Sequence, residues 1–258
     1  MLAAHLLALK PSKVYAAIPD TMHVPYEKNT ITTPDNVKLK SWTFLPTRRT
    51  DKKITLVMAY ADGGNMSWWL THATTLSKLG YTVMLFDYRG FGESDPFSID
   101  STMLYYNEFA TDLSAAVAFA RVKYAKNKTG IWCLSMGTIV TTLAVKTAQP
   151  DFIVGEGYVT DPLKLKEQWA RSHKKLDFPP VTADYETELL NIKAPMLIFS
   201  GEFDRVTTDE SVKKLQKKKP SIIIQNFKGG HLQGLWVLSK EFAGSEYAAA
   251  INNFLKVK

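Results

Sequence analysis

The chain has 258 residues, of which 45% are hydrophobic and 22% charged, and its formal net charge is +7. This length and apolar content suffice for one large globular domain with a substantial core. The sequence has no run of 18 apolar residues that would cross a membrane, and its single cysteine excludes an internal disulfide. No Cys/His grouping has the spacing of a zinc site, so we expect neither a metal ion nor another cofactor.

Much of the positive charge lies in short lysine clusters at residues 174–175, 213–214 and 217–219. A groove for nucleic acid needs basic residues interleaved with exposed aromatic rings, and the sequence has no such stripe. We interpret the lysines as solvated helix faces and loops, and we expect no nucleic-acid partner.

The first nine residues are apolar, but they lack the basic start of a secretory signal. They indicate either a surface helix or the remainder of an export or anchor segment. We assign residues 1–25 to an N-terminal extension. The first alternative predicts a cytoplasmic protein, and the second predicts an exported or membrane-associated one that contacts a membrane surface through this segment.

Strand and helix patterns alternate along the rest of the chain. Residues 29–33 and 37–44 predict a hairpin with its turn at 34–36. Further strands are predicted at 54–60, 81–86, 129–134, 152–159, 195–200 and 221–227, and helices at 67–79, 103–124, 138–147, 163–173, 209–217 and 246–256. This alternation predicts an α/β fold with a mostly parallel sheet of about eight strands, an antiparallel start and helices on both faces.

In such sheets, functional side chains gather at the carboxyl ends of the strands. Residues 131–137 (IWCLSMG) end a buried strand on Ser135, and a helix-like stretch follows. The small residues Cys133 and Gly137 flank the serine, as a tight strand-to-helix turn requires, and such a turn pushes the hydroxyl out of the sheet. Ser135 is therefore a candidate nucleophile, with a helix N-cap as the alternative role.

A candidate acid follows the predicted strand at 195–200. Asp204 lies in the loop before the next helix, where a carboxylate can orient a histidine. Glu202 and Asp209 are rivals in the same region, and Asp161 is a rival at the end of another strand. A turn or cap is the structural alternative for Asp204.

A candidate base follows the last predicted strand. His231 comes after two glycines that let the backbone turn back towards the sheet edge. The other histidines lie in the N-terminal segment, in a predicted helix or near a helix end: His5, His23, His72 and His173. His231 is thus the histidine placed to meet the serine and the acid.

The order Ser135, Asp204, His231 resembles the α/β-hydrolase superfamily, whose triad runs serine, acid, histidine along the chain. Residues 86–94 (FDYRGFGES) resemble the family's segment after its fourth strand, and residues 60–67 (YADGGNMS) resemble its oxyanion loop after the third. The likeness is to the compact esterase, lipase and aminopeptidase-like branch.

The likeness covers about residues 26–256. We assign 26–258 to one α/β-hydrolase domain with a short lid-like insertion at about 162–193. A lid that is small or absent favours an open site and esters with short or medium acyl groups.

Two departures from the family pattern stand out. Cys133 replaces the first glycine of G-x-S-x-G, and we expect this small residue to be tolerated. Tyr60 and Ala61 replace the familiar His-Gly of the oxyanion loop. The donor in that loop is a backbone N–H, so the change need not remove it, although it leaves the geometry of the loop open.

The resemblance implies a serine hydrolase that cleaves small-molecule carboxylic esters through an acyl-serine intermediate. Ser135 is then the nucleophile, His231 the base and Asp204 the acid that orients it. The backbone N–H groups of Met136 and Asp62 are the expected oxyanion donors.

Three tryptophans, Trp68, Trp69 and Trp169, are candidates for lining the substrate pocket, with core packing as the alternative. Asp87 and Arg89 are interpreted as structural. Thioester or peptide substrates remain alternatives to esters, as does a catalytically inactive binding protein on the same fold. The sequence leaves the oligomeric state open.

Overall fold

The computed structural model describes residues 8–171, 176–180 and 184–257. The β-strands of these residues are β1 (Lys10–Pro11), β2 (Tyr26–Thr32), β3 (Lys38–Phe44), β4 (Ile54–Ala59), β5 (Gly63–Gly64), β6 (Thr82–Phe86), β7 (Lys128–Leu134), β8 (Ile153–Glu156), β9 (Met196–Gly201) and β10 (Ile223–Phe227). The α-helices are α1 (Leu70–Lys78), α2 (Asn107–Lys123), α3 (Met136–Ala148), α4 (Pro162–Ala170), α5 (Tyr185–Leu190), α6 (Asp209–Lys218), α7 (Gly234–Val237) and α8 (Ser245–Leu255). Two 3₁₀ helices lie at Pro19–Met22 and Met66–Trp69.

Eight of these strands form one sheet in the order β10-β9-β8-β7-β4-β6-β3-β2. Neighbours from β10 to β6 pair in parallel, whereas β3 pairs antiparallel with both β6 and β2. The predicted sheet, mostly parallel with an antiparallel start, is therefore confirmed.

Helices cover both faces of the sheet, as two neighbouring side chains of β7 demonstrate. Trp132 donates its Nε1–H to the hydroxyl of Tyr247 in α8, at 2.9 Å. The thiol of Cys133, the next residue, lies beside Thr141 in α3. Consecutive side chains of a strand point to opposite faces, so α8 and α3 cover opposite sides of the sheet.

Several boundaries differ from the sequence prediction. The helix predicted at 67–79 begins as a 3₁₀ turn and becomes α-helical at Leu70. The strand predicted at 152–159 ends at Glu156, because Gly157 turns the backbone with a φ of +62°. Helices α5 and α7 and the β1–β5 pair were not predicted, and that pair joins residues more than fifty positions apart.

The predicted N-terminal extension is described from residue 8 onward, so residues 1–7, with His5, lie outside the described part. Residues 8–25 hold β1 and one 3₁₀ turn and contain no α-helix, and the side chains of Ala8 and Leu9 are fully buried. Lys10 and Pro11 pair instead with the loop at Gly63–Gly64. Across the described residues, no helix combines the length and the apolarity needed to cross a bilayer.

Candidate active site

Three predicted site residues meet at the carboxyl edge of the sheet. Ser135 follows β7, Asp204 lies in the loop after β9, and His231 lies in the loop after β10. His231 Nε2 lies 2.9 Å from Ser135 Oγ, and its Nδ1 lies 2.8 Å from Asp204 Oδ2. The structure thus places the serine, the imidazole and the carboxylate in one hydrogen-bonded line, which is the arrangement that activates a hydroxyl.

The rival acids have other positions. Asp161 caps α4 by accepting a backbone N–H of the first helical turn at 3.0 Å. Asp209 accepts hydrogen bonds from Ser200 Oγ (2.9 Å) and Asn226 Nδ2 (2.6 Å), and Glu202 is exposed. Among the described residues, no group of three or more His, Cys, Asp or Glu side chains is arranged to hold a metal ion.

The turn at Ser135 is strained. Its φ of +50° and ψ of −117° are unusual for a residue with a side chain, and such strain is typical of functional sites. The hydroxyl makes no helix-capping bond, so it is available to His231. A Cβ on Gly137 would overlap the carbonyl oxygen of Ala59, so only glycine fits two residues after the serine.

Cys133 fits the place of the missing glycine because its strand partner is small. It pairs with Gly155 of β8, and its Sγ donates to the carbonyl oxygen of Val154 at 3.6 Å. The side chain is fully buried, and burial raises the pKa of the thiol to about 12. The thiol is therefore protonated and inert at neutral pH, so Cys133 is a packing residue.

Asp204 is held by a loop that offers several donors. Its Oδ1 accepts the N–H groups of Val206 (2.8 Å) and Thr207 (2.9 Å), and its Oδ2 accepts the Thr207 hydroxyl (2.6 Å). Burial works to raise the pKa of Asp204, but His231 and the Thr207 donors outweigh it, so the pKa lies below its ordinary value. The carboxylate is thus ionised at neutral pH. Thr207 was missed by the sequence analysis, although a threonine three residues after an aspartate is a common local donor.

The departure at Tyr60 has a structural explanation. The Tyr60 hydroxyl donates to Oδ1 of Asp87 at 3.1 Å, and the backbone N–H of Met66 donates to the same oxygen at 2.7 Å. Asp87 is fully buried and so ties both ends of the oxyanion loop to the sheet. Arg89 pairs with Asp112, at 2.7 Å. The contacts of Asp87 and Arg89 are those of structural residues.

Residues 8–16, here called the N-terminal strap, lie along the oxyanion loop. Two backbone N–H groups of the strap donate to carbonyls of the loop: Lys10 to Asp62 (2.9 Å) and Ser12 to Gly64 (2.7 Å). In return, Asn65 Nδ2 donates to the strap carbonyls of Ser12 (3.1 Å) and Val14 (2.8 Å). The strap also donates to side chains, from the Tyr15 hydroxyl to Asp87 Oδ2 (2.7 Å) and from Ala16 N–H to Ser67 Oγ (3.0 Å). The strap therefore fixes the loop that contains Asp62. Met136 opens α3 directly after the serine. The role of these two residues as oxyanion donors stays a prediction.

The three tryptophans occupy different environments. The side chain of Trp68 is 58% exposed and lies against the oxyanion loop. Trp69 is 9% exposed, with its ring centroid 6.3 Å from that of Tyr60 and 5.0 Å from that of His72, which is a core position. Trp169 is half-buried on α4. Their substrate-lining role stays a prediction, and burial makes Trp69 the weakest of the three candidates.

The predicted lid region, 162–193, is described only in part, because residues 172–175, with His173, and 181–183 lie outside the described residues. Its described part contains α4 and α5. Between them, Asp177 forms a parallel bridge with Met103. This part of the segment is therefore attached to the body of the molecule, and its role as a lid stays a prediction.

One further carboxylate near the site was also missed. Glu156 ends β8 and is 3% exposed, and its Oε1 accepts the N–H of Gly234, at the start of α7, at 2.6 Å. In the sequence it lies inside an apolar run and has no local signal, because its partners come from distant parts of the chain.

Comparison with protein families gives a match that covers part of the chain. The family described as "Serine aminopeptidase, S33" matches residues 62–156, which contain Asp62 and Ser135. A protein of Saccharomyces cerevisiae, called "Uncharacterized membrane protein YNL320W", is 30% identical over 78 residues. That match spans 30% of this chain and only 26% of the yeast protein.

Solved structures match almost the whole chain. The Pyrococcus furiosus esterase Pf2001 superposes with a TM-score of 0.74 at 22% identity, covering 96% of this chain and 97% of the esterase. XC6422 from Xanthomonas campestris, described as an α/β serine hydrolase without lid, gives a TM-score of 0.62 at 17% identity, covering 90% and 94%. A thermophilic esterase from Thermogutta terrifontis gives 0.59 at 16% identity, covering 89% and 98%. The sheet order and these structural matches agree: the chain has the α/β-hydrolase fold.

Proposed function

We propose that the protein is a serine hydrolase that cleaves carboxylic esters of small molecules through an acyl-serine intermediate. The observation that carries the proposal is the line from Ser135 Oγ through His231 to Asp204, with hydrogen bonds of 2.9 and 2.8 Å. The strained backbone at Ser135 supports it, because the strain directs the hydroxyl towards the imidazole instead of into a helix cap.

The mechanism follows from what each group offers. A serine hydroxyl is a weak nucleophile at neutral pH, so His231 Nε2 takes its proton as Oγ attacks the ester carbonyl. Asp204, ionised and bonded to Nδ1, holds the productive tautomer and stabilises the imidazolium. His231 then gives the proton to the leaving alcohol, and water hydrolyses the acyl-serine by the same steps.

The developing oxyanion needs donors that are already in place. The N–H groups of Met136 and Asp62 are our candidates, since one follows the nucleophile and the other lies in the loop held by the N-terminal strap. Loss of one such donor typically lowers kcat by about 10²–10³.

Carboxylic esters are proposed as substrates because solved proteins of similar structure are esterases. The Pyrococcus furiosus and Thermogutta terrifontis proteins are both called esterases. The matching family description names a serine aminopeptidase, so peptide substrates are the second candidate. Both reactions use the same acyl-serine chemistry, and they differ in the leaving group that His231 must protonate.

The test begins with a fluorophosphonate probe, whose adduct is mapped by mass spectrometry. We expect the probe on Ser135 and none in Ser135→Ala, which keeps the fold and loses ester turnover. Ser200→Ala is the matched control, because Ser200 also lies at a strand end but its hydroxyl bonds to Asp209. Labelling should be unchanged in this control.

Substrate preference follows from turnover of p-nitrophenyl esters of rising chain length, compared with aminoacyl p-nitroanilides. We expect the highest kcat/KM for short or medium acyl esters. A folded wild-type protein that takes up no probe would contradict the proposal and would favour a catalytically inactive binding protein on this fold. Undiminished turnover in Ser135→Ala would contradict it as well.

A further inference from the structure

Glu156 touches both catalytic loops, and the mechanism above does not use it. It is the last residue of β8, and its backbone carbonyl accepts the N–H of Ser135 at 3.1 Å. In its side chain, Oε1 accepts the backbone N–H of Gly234 at 2.6 Å. Gly234 comes three residues after His231, so one residue contacts both the nucleophile turn and the histidine loop.

Two glycines make this contact sterically feasible. A Cβ on Gly234 would lie 2.8 Å from Glu156 Oε1, so any larger residue would push the carboxylate away from the N–H. A Cβ on Gly157 would lie 2.7 Å from Cε1 of His231. The end of β8 therefore packs directly beneath the imidazole.

The carboxylate also belongs to a buried chain of donors that starts at Trp132 of β7, on the same face of the sheet. Trp132 donates to the hydroxyl of Tyr247 at 2.9 Å, and that hydroxyl is hydrogen-bonded to Glu156. Trp132 and Tyr247 are fully buried. A buried carboxylate is costly unless donors satisfy it, and here two donors are provided from two different elements.

The charged groups that face Glu156 determine what its ionisation does. His231, when protonated, attracts the carboxylate, and Asp204 repels it. Burial raises the pKa of Glu156 to about 7, against the opposing effect of the Gly234 N–H and the Tyr247 hydroxyl. The side chain thus changes charge within the pH range in which a histidine-based enzyme works.

We propose that Glu156 is a positioning residue for the reaction: its ionised carboxylate holds the His231 loop and stabilises the imidazolium formed when Ser135 gives up its proton. The inference rests on the proposed function. The ionised form accepts both donors and carries the charge opposite to that of the imidazolium, so it is the active form. As the pH falls through about 7, Glu156 takes up a proton and this contribution is lost.

The test compares wild type with Glu156→Gln, which keeps the shape and the acceptor for Gly234 but carries no charge. Rates of fluorophosphonate labelling at Ser135, and kcat/KM for a p-nitrophenyl ester, are measured from pH 5.5 to 9. We expect the ratio of wild type to variant to be about tenfold above pH 8 and to fall towards one below pH 6. Taking the ratio cancels the titration of groups whose pKa the substitution leaves unchanged.

Tyr247→Phe provides a second variant that keeps the carboxylate. Removing this donor raises the pKa of Glu156, so the pH dependence of labelling should move to higher pH while the rate at pH 9 stays near that of wild type. A purely structural role predicts neither change. A ratio that is flat across the pH range, with wild type labelled, overturns this inference alone. Absence of labelling in wild type overturns the proposed function and this inference with it.

Discussion

The carboxylate of Asp204 accepts hydrogen bonds both from its own loop and from the imidazole of His231. Oδ2 accepts both the imidazole Nδ1–H at 2.8 Å and the Thr207 hydroxyl at 2.6 Å, while Oδ1 accepts two backbone N–H groups. These donors keep the carboxylate ionised and fix its orientation, so the direction of the imidazole is set by the loop and not by His231 itself. Orientation of this kind affects kcat more than substrate binding.

Asp204→Asn should therefore lower kcat by about 10³ or more with little change in KM, because an amide favours the wrong tautomer of His231. Steady-state kinetics on a p-nitrophenyl ester measure both parameters. Asp209→Asn is the matched control, since this carboxylate faces Ser200 and Asn226 and should leave kcat within about twofold. Equal losses in the two variants would show that Asp204 has no special role.

The residues of the hydrogen-bonded line could be predicted from the sequence because each directly follows a strand, and strand ends can be recognised from local patterns. Thr207 and Glu156 were not predicted, for different reasons. Thr207 acts through Asp204, so its type alone carries no catalytic signal. Glu156 depends on Gly234 and Tyr247, which lie more than seventy residues away.

At the scale of elements, the turn between β7 and α3 is the most constrained junction. Gly137 lies against the carbonyl of Ala59 at the end of β4, so α3 approaches the sheet as closely as the backbone allows. This approach, together with the φ of +50° at Ser135, places the Ser135 side chain at the carboxyl end of the strands.

Gly137→Ala should destabilise the protein by about 3 kcal/mol, because the new methyl group meets backbone that cannot move aside. Chemical denaturation measures the free energy of unfolding. Gly230→Ala serves as the control, since a Cβ there meets only the Gln233 side chain, at 3.5 Å, and should cost less than about 1 kcal/mol. A Gly137→Ala protein as stable as the control would show that the junction is looser than the geometry indicates.

Elements with a strong local period were predicted within a few residues, and those that depend on distant partners were not. Helix α6 was predicted at 209–217 and spans Asp209–Lys218, since a threonine cap and a clear polar face define it. The β1–β5 pair consists of two hydrogen-bonded residues on each side and has no hydrophobic period at all. Its existence follows from the position of the oxyanion loop, which only the assembled sheet determines.

At the scale of the whole molecule, the partly buried His72 and the fully buried Asp87 give the folding stability opposite pH dependences. His72 packs among Trp69, Trp132 and Trp236, and burial lowers its pKa to about 4. The unfolded chain then binds more protons below about pH 6.5, so stability is lost as the pH falls towards 4. Burial raises the pKa of Asp87 to about 6, so the folded state binds more protons between about pH 4 and 6. Stability from this group falls as the pH rises through that range.

His72→Phe should therefore improve stability more at pH 5 than at pH 8, by about 1–2 kcal/mol. Asp87→Asn should show the opposite pH dependence: its free energy of unfolding, relative to wild type, should be higher at pH 8 than at pH 5. Urea unfolding of the three proteins at the two pH values gives these differences directly. If each variant differed from wild type by the same free energy of unfolding at both pH values, neither group would change its protonation on folding.

The N-terminal strap and the end of α8 lie at opposite edges of the sheet. The strap follows the oxyanion loop, whereas Lys256 shares a surface groove with Lys128, Asp151 and Pro195, where β7, β8 and β9 begin. A linker attached before the strap would therefore lie at the carboxyl ends of the strands, on the same side as Ser135. A linker attached after Lys256 would lie at the amino ends of the strands, on the opposite side. On a solid support or in a fusion protein, the carboxyl-terminal attachment is thus the one that turns the candidate site outward to solution.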